Sequence, residues 1–257
     1  MNYTIVNLTT ILLCGQKKST MTSFPRKQSI ALLLDPDKSF EKLDETLRVA
    51  VESGIDYIMV GGSLTFNRID LLVAEIKNRC SIPVVLFPGN LLQLDLEADI
   101  ILLLSLISGR NPELLIGNHV IAAPYLKKVK EKTFPVGYIL IGCGTKTSVE
   151  YISQTESIPM EKEEIAVATA LAGELLGLKA IYLEAGSGAD RHVPLTTIKS
   201  VKENVGIPVI VGGGIKTGKE IIDLYGAGAD MVVIGNSCEK DPGFIAEACK
   251  AKNLLSE

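Results

Sequence analysis

The sequence predicts an α/β fold, a (β/α)8 barrel, on three observations. Eight short apolar runs recur along the 257 residues, and they are apolar on consecutive positions rather than alternating. Most are separated by stretches with helical periodicity. Consecutive apolar residues suit strands buried on both faces of a parallel sheet, and a barrel of eight such units commonly takes about 250 residues. A doubly wound open sheet is the alternative that the same units allow. Residues 29–257 are read as one barrel domain and residues 1–28 as an N-terminal extension that need not be ordered.

The predicted strands are residues 30–34, 57–60, 84–87, 100–104, 137–141, 181–184, 209–211 and 232–234. Among the predicted helices, residues 39–53 place Phe40, Leu43, Leu47 and Ala50 on one face, with Ser39 as N-cap. Residues 160–176 and 195–204 read similarly, and Thr217 caps a helix running to Tyr225. An internal echo supports the barrel. GIDYIMVGGS, EADIILLLS and GADMVVIGNS share an x-Asp-strand-Ser layout, and SIPVVLFPG matches GIPVIVGGG. From Ile82 to Asp99 is 17 residues, whereas from Ile207 to Asp230 is 23. The deficit predicts a modified barrel whose third helix is missing or replaced by an extended segment, opening a groove.

Composition narrows the function. A formal charge of −4 without a Lys/Arg-dense stretch argues against a nucleic-acid partner. Five scattered cysteines, none in a CxxC pair, suit reduced thiols in the cytoplasm rather than a disulfide frame. With only His119 and His192 for histidines, a metal would be held mainly by oxygen, which favours Mg²⁺. Residues 5–14 are apolar but lack a basic segment before them, so they read as part of an upstream extension, with Met21 an alternative start. No apolar run reaches the roughly 20 residues that span a bilayer.

Barrel chemistry sits at the C-terminal strand ends. Strand 1 supplies Asp35, Pro36, Asp37 and Lys38, strand 2 Gly61, Gly62 and Ser63, strand 3 Pro88 to Asn90, and strand 4 Ser105. Strand 5 supplies Gly142 and Gly144, and strand 6 Tyr182, Leu183, Glu184, Ala185, Gly186, Ser187 and Gly188. Strand 7 supplies Gly212, Gly213 and Gly214, and strand 8 Gly235, Asn236 and Ser237. Glycine-rich ends on strands 6, 7 and 8 let an anion reach the main chain, so they form either a phosphate cradle or tight turns. Glu184 lies in an otherwise apolar strand with Tyr182 on the same face. It is either a general base of raised pKa or a structural carboxylate held by an amide. Asp35 either ligates Mg²⁺ beside the Ser63 hydroxyl or caps a turn with Pro36. Lys38 and Arg68 either reach a diphosphate or are ordinary surface charges, and His192 either sits over the site or covers its own loop, the second reading being preferred for each. His119 reads as structural.

LLLDPDK, GGS, YLEAGSGA, GGGI and GNS, in this order, resemble the geranylgeranylglyceryl phosphate synthase family, which includes the bacterial heptaprenylglyceryl phosphate synthases. The match spans roughly residues 29–248. The resemblance implies a modified TIM barrel and a prenyltransferase. It joins a polyprenyl diphosphate to the 3-hydroxyl of sn-glycerol 1-phosphate and releases diphosphate with Mg²⁺, forming an ether-lipid precursor. It puts the metal on Asp35 and Ser63, and glycerol phosphate on Tyr182 to Gly188, Gly213, Gly214, Gly235 and Asn236. It also implies a homo-oligomer, dimer or hexamer. Heptaprenyl-type members carry lysine two residues before the first aspartate; Leu33 stands there, which points to the geranylgeranyl branch shared by archaea and some bacteria. Leu91, Leu92, Leu94 and Leu96, on the short segment after strand 3, either house the prenyl tail or belong to the core. Two other readings are a sugar-phosphate isomerase, epimerase or aldolase, and a non-catalytic binder of phosphorylated lipids. No strand carries a Schiff-base lysine for the aldolase, and histidine ligands for a metal-dependent epimerase are absent.

Overall fold

The computed structural model describes residues 24–38 and 40–255. The proposed Ser39 cap, the apolar residues 5–14 and Met21 lie outside them. Eight parallel strands form the barrel: β1 (Ser29–Leu34), β2 (Tyr57–Val60), β3 (Val84–Leu86), β4 (Ile100–Leu106), β5 (Thr133–Gly142), β6 (Ala180–Glu184), β7 (Val209–Gly212) and β8 (Met231–Ile234). They pair in the order β4-β3-β2-β1-β8-β7-β6-β5, and β4 also pairs with β5. That closure removes both sheet edges and excludes the open-sheet alternative.

Strand parity splits the core in two. Ala31, Tyr57, Met59, Val85, Leu102, Tyr138, Tyr182, Ile210 and Val233 fill the barrel interior, while the alternate residues pack outward under the helices. Phe24 closes the N-terminal end, edge-on to Tyr57 at 5.1 Å and Phe134 at 5.0 Å. The barrel's packing therefore begins inside the stretch read as an extension.

The echoed aspartates are strand latches at that same end. Asp56 Oδ2 accepts the Ile30 N–H at 2.8 Å, Asp99 Oδ2 the Val84 N–H at 2.9 Å, and Asp230 Oδ2 the Val209 N–H at 2.8 Å. Each also takes a lysine, from Lys252, Lys77 and Lys202 respectively. A charged acceptor ties the first or second residue of each strand to its neighbour, so the aspartates hold register.

The outer layer holds α1 (Leu43–Ser53), α2 (Ile69–Arg79), α3 (Asn118–Leu126), α4 (Ser148–Ser153), α5 (Glu163–Leu175), α6 (Leu195–Asn204), α7 (Gly218–Gly226), α8 (Asn236–Lys240) and α9 (Gly243–Asn253). Thr217 caps α7 in a capping box with Glu220. Helix α1 starts at Leu43 after a 3-10 turn, four residues beyond the expected cap. Between β3 and β4 the described chain makes only the 3-10 turn Leu91–Gln93. The segment between β5 and β6 carries α4 and a short strand, Ile158–Pro159, neither of which periodicity suggests.

Candidate active site

The C-terminal mouth has an aromatic floor. Tyr182 on β6 and Tyr138 on β5 are register partners and point inward. Their rings lie 5.3 Å apart, and Phe87, just past β3, stacks on Tyr182 at 5.3 Å and meets Tyr138 edge-on at 5.7 Å. Glu184 stands one inward step above Tyr182. Burial raises its carboxyl to about 7, and the Gly186 N–H together with the two nearby phenols only partly opposes that rise. The Gly186 N–H reaches Oε1 at 2.6 Å. Burial first, then the charge of Glu184, pushes both phenols well up. The Tyr182 hydroxyl faces this carboxylate but completes no hydrogen bond of normal geometry.

The loops after β6, β7 and β8 converge on Glu184. Gly213 has φ +84°, and a Cβ there would lie 2.4 Å from Glu184 Oε1 and 2.8 Å from the Gly186 amide nitrogen. Gly214 has φ +69°, and its missing Cβ leaves room for the Arg191 carbonyl, which would otherwise lie 2.2 Å away. Only glycine fits at both positions. Ser187 Oγ donates to Asn236 Oδ1 at 3.1 Å, and Ser237 Oγ donates to the Ile215 carbonyl at 2.7 Å. Three glycine-rich ends thus form one wall rather than three independent turns. Gly235 precedes Asn236 on this wall and packs near Leu33 of β1. His192 stays within its loop, its Nδ1 bonded to the Val193 carbonyl at 2.7 Å.

Across the mouth, Asp35 Oδ2 lies 3.2 Å from Lys38 Nζ, which also sits 3.4 Å from Glu239 Oε2. The lysine bridges the two carboxylates, so it is more than a surface charge. Asp35 Oδ1 also accepts the Asp37 N–H at 3.0 Å, the turn-capping contact. Asp37 holds the β2 loop through the Phe66 and Asn67 amides. That loop passes close to Asp35: a Cβ on Gly62 would come within 3.7 Å of the Asp35 carboxyl carbon, and Ser63 follows directly. Among the described residues no cluster of three His, Cys, Asp or Glu side chains could hold a metal. Asp35 is therefore a lone carboxylate paired with Lys38, so a hard cation bound here would have to displace that ammonium and take most of its ligands from substrate phosphates and water. Arg68 pairs with Asp70, two residues on.

Beside the mouth, an apolar cleft of about 330 Å³ runs along β4. Ser63, Phe87 and Tyr138 line its inner end, and Leu94, Leu104, Leu114 and Leu126 line its length. Of the four leucines read as either housing a tail or belonging to the core, only Leu94 lines it. Leu91 and Leu96 pack on the outer core, and Leu92 is exposed. Ser105 is a correction: β4 runs two residues further than expected, so Ser105 lies inside the strand rather than at its end. By parity it faces outward, where its Oγ meets His119 Nε2 at 3.0 Å. A polar opening of about 320 Å³, lined by Cys143, Lys146 and Thr147, reaches Glu184 from the β5 side.

Three site residues escaped sequence reasoning. Tyr138 had a readable signal, since GYILIG and IYLEAG place tyrosine at the same step of their strands. Phe87 had none. Gln93 is buried in the 3-10 turn, where its Nε2 donates to the Gly62 carbonyl at 2.7 Å and its Oε1 accepts the Gly89 N–H at 2.9 Å. It fixes the Ser63 loop, a role that depends on a backbone partner 31 residues away.

Residues 24–252 match the PcrB family. The chain is 47% identical over 223 residues to a geranylgeranylglyceryl phosphate synthase of Spirosoma linguale, covering 86% of this chain and 90% of that protein. It is 49% identical over 217 residues to one of Flavobacterium johnsoniae, covering 84% and 89%. Among solved structures it resembles (S)-3-O-geranylgeranylglyceryl phosphate synthase of Thermoplasma acidophilum in complex with its substrate sn-glycerol-1-phosphate. That match has a TM-score of 0.81 and 31% identity, covering 90% of this chain and 94% of that one.

Proposed function

The chain belongs to the PcrB family, and from that membership and the mouth's geometry we propose how it works as a geranylgeranylglyceryl phosphate synthase. It is a prenyltransferase that prenylates sn-glycerol 1-phosphate in ether-lipid synthesis. The observation that carries the mechanism is the buried Glu184 carboxyl, raised to about 7, between a glycine wall and an apolar cleft.

The residues divide between two anions. Backbone and side-chain donors of Tyr182, Leu183, Glu184, Ala185, Gly186, Ser187 and Gly188, with Gly213, Gly214, Gly235 and Asn236, hold glycerol 1-phosphate. This orients its 3-hydroxyl toward Glu184. Asp35 and Ser63 hold Mg²⁺, which supplies neutralising charge for the donor's diphosphate. The cleft beside β4, in place of the third helix, houses the prenyl tail and excludes water. The C1–O bond to diphosphate breaks as the glycerol oxygen bonds to C1, and Glu184 accepts the hydroxyl proton. Tyr182, Tyr138 and Phe87 face the reacting carbon with ring surfaces that favour developing positive charge. The protein is taken to act in the cytoplasm as one phosphate-binding barrel domain over residues 29–257, assembled as a homo-oligomer, dimer or hexamer.

Incubation with Mg²⁺, labelled sn-glycerol 1-phosphate and prenyl diphosphates of graded length tests the reading. An ether-linked prenylglyceryl phosphate, made fastest from the geranylgeranyl donor, is expected. Diphosphate release without transfer, or no turnover with any prenyl donor, would contradict it.

A further inference from the structure

Helix α3 is apolar on two opposite faces. His119, Ala122 and Leu126 line the cleft on one side. On the other, Val120, Ile121 and Tyr125 are 65%, 56% and 57% exposed, and among the described residues no element covers them. A helix apolar all round is ordinarily buried or in contact with lipid. The chain then runs into Lys127, Lys128 and Lys130, all exposed. Lys128 is three residues after Tyr125 and seven after Ile121, so it continues the outward face. Among the described residues these three lysines enter no ion pair, although the whole chain carries a charge of −4. Apolar residues bordered by uncompensated lysines match the interface of an anionic bilayer, where tails meet phosphate headgroups. A second copy related by a two-fold axis would bring the lysines of both chains together, which disfavours that occupant.

We propose that the outward face of α3, with Lys127, Lys128 and Lys130, rests on the surface of an anionic lipid bilayer. The cleft on the helix's other face then opens beside the membrane. This rests on the prenyl-donor reading above: a long prenyl chain partitions into bilayers. A docked enzyme would draw its donor from the membrane rather than from dilute solution.

The test is co-sedimentation of the full chain with vesicles of phosphatidylcholine alone, or of equal parts phosphatidylcholine and phosphatidylglycerol. Binding to the mixed vesicles only, weakened by salt, is expected. Lys127→Glu/Lys128→Glu and, separately, Ile121→Glu should each reduce it about tenfold or more. Both variants should keep the wild-type circular dichroism spectrum and the wild-type turnover of geranyl diphosphate, which is short enough to be supplied from solution. No binding to mixed vesicles, or binding unaltered in the variants, would overturn the proposal. So would a shift of Ile121→Glu to a smaller oligomer in light scattering, because a second copy would then be the occupant. Vesicle binding needs no turnover, so absent transfer with intact binding would fault the functional reading alone.

Discussion

Burial holds the Glu184 carboxyl near 7 in the folded chain, against a usual value of 4.5. Between these values the folded state binds more protons than the unfolded one, so stability falls as pH rises through that window. The residue proposed to take the proton therefore weakens the fold at the pH where it would work. Glu184→Gln keeps the shape and removes the buried charge. It should stabilise the protein by on the order of 1–3 kcal/mol above about pH 7, with the gain fading toward about pH 4.5. Denaturant unfolding at the two pH values measures this, and a gain that is equal or larger in acid refutes it. Tyr182→Phe removes a buried hydroxyl without a hydrogen-bond partner, so it should leave stability unchanged or slightly higher while slowing transfer. Both residues were legible in the sequence because a glutamate in an apolar strand needs a reason. Tyr138 was not singled out although its strand repeats the tyrosine step of β6, and Phe87 gave no signal because it meets Tyr182 only across the closed barrel.

At the scale of elements, the two ends of the barrel do different work. The Asp230 latch sits at the N-terminal end, so Asp230→Ala should cost about 1–3 kcal/mol by leaving the Val209 N–H and Lys202 without their acceptor. Activity per folded molecule should not change, and thermal melts beside initial rates decide it; a large loss of rate at full folding would mean the latch reaches the site. Gly213→Ala does the reverse. Its positive φ and the 2.4 Å approach to Glu184 Oε1 force the wall open. The KM for glycerol phosphate should therefore rise at least about tenfold, and an unchanged KM would remove Gly213 from the cradle. The repeat of aspartates was visible as a sequence echo, but its serines were not equivalent. Ser63 ends up on the β2 loop beside Asp35, Ser237 ties two loops together, and Ser105 turns outward because β4 runs to Leu106. Strand length, set by pairing with β5, decided that difference, and pairing is not written in local periodicity. The shortage of residues between β3 and β4 could be counted directly, whereas the grip of Gln93 on the Gly62 carbonyl could not.

Across the whole molecule, the barrel brings a glycine wall, the buried Glu184 carboxyl and the Asp35 carboxylate to one mouth, with an apolar cleft beside β4. Eight consecutive apolar runs made the barrel legible, since strands buried on both faces leave little else for such runs to be. The outward face of α3 was not legible, because a helix apolar on every side gives no period from which to tell core from surface. The central claim is that Glu184 removes the proton from the glycerol hydroxyl, and the pH dependence of kcat/KM for transfer tests it most directly. The account predicts a rate that falls in acid with an apparent pKa near 7. In Glu184→Gln it predicts a residual rate lower by about 10²–10⁴ and flat across the same range, with glycerol phosphate still bound. A wild-type profile without that acid limb, or a Glu184→Gln enzyme that keeps near-normal turnover, would contradict it.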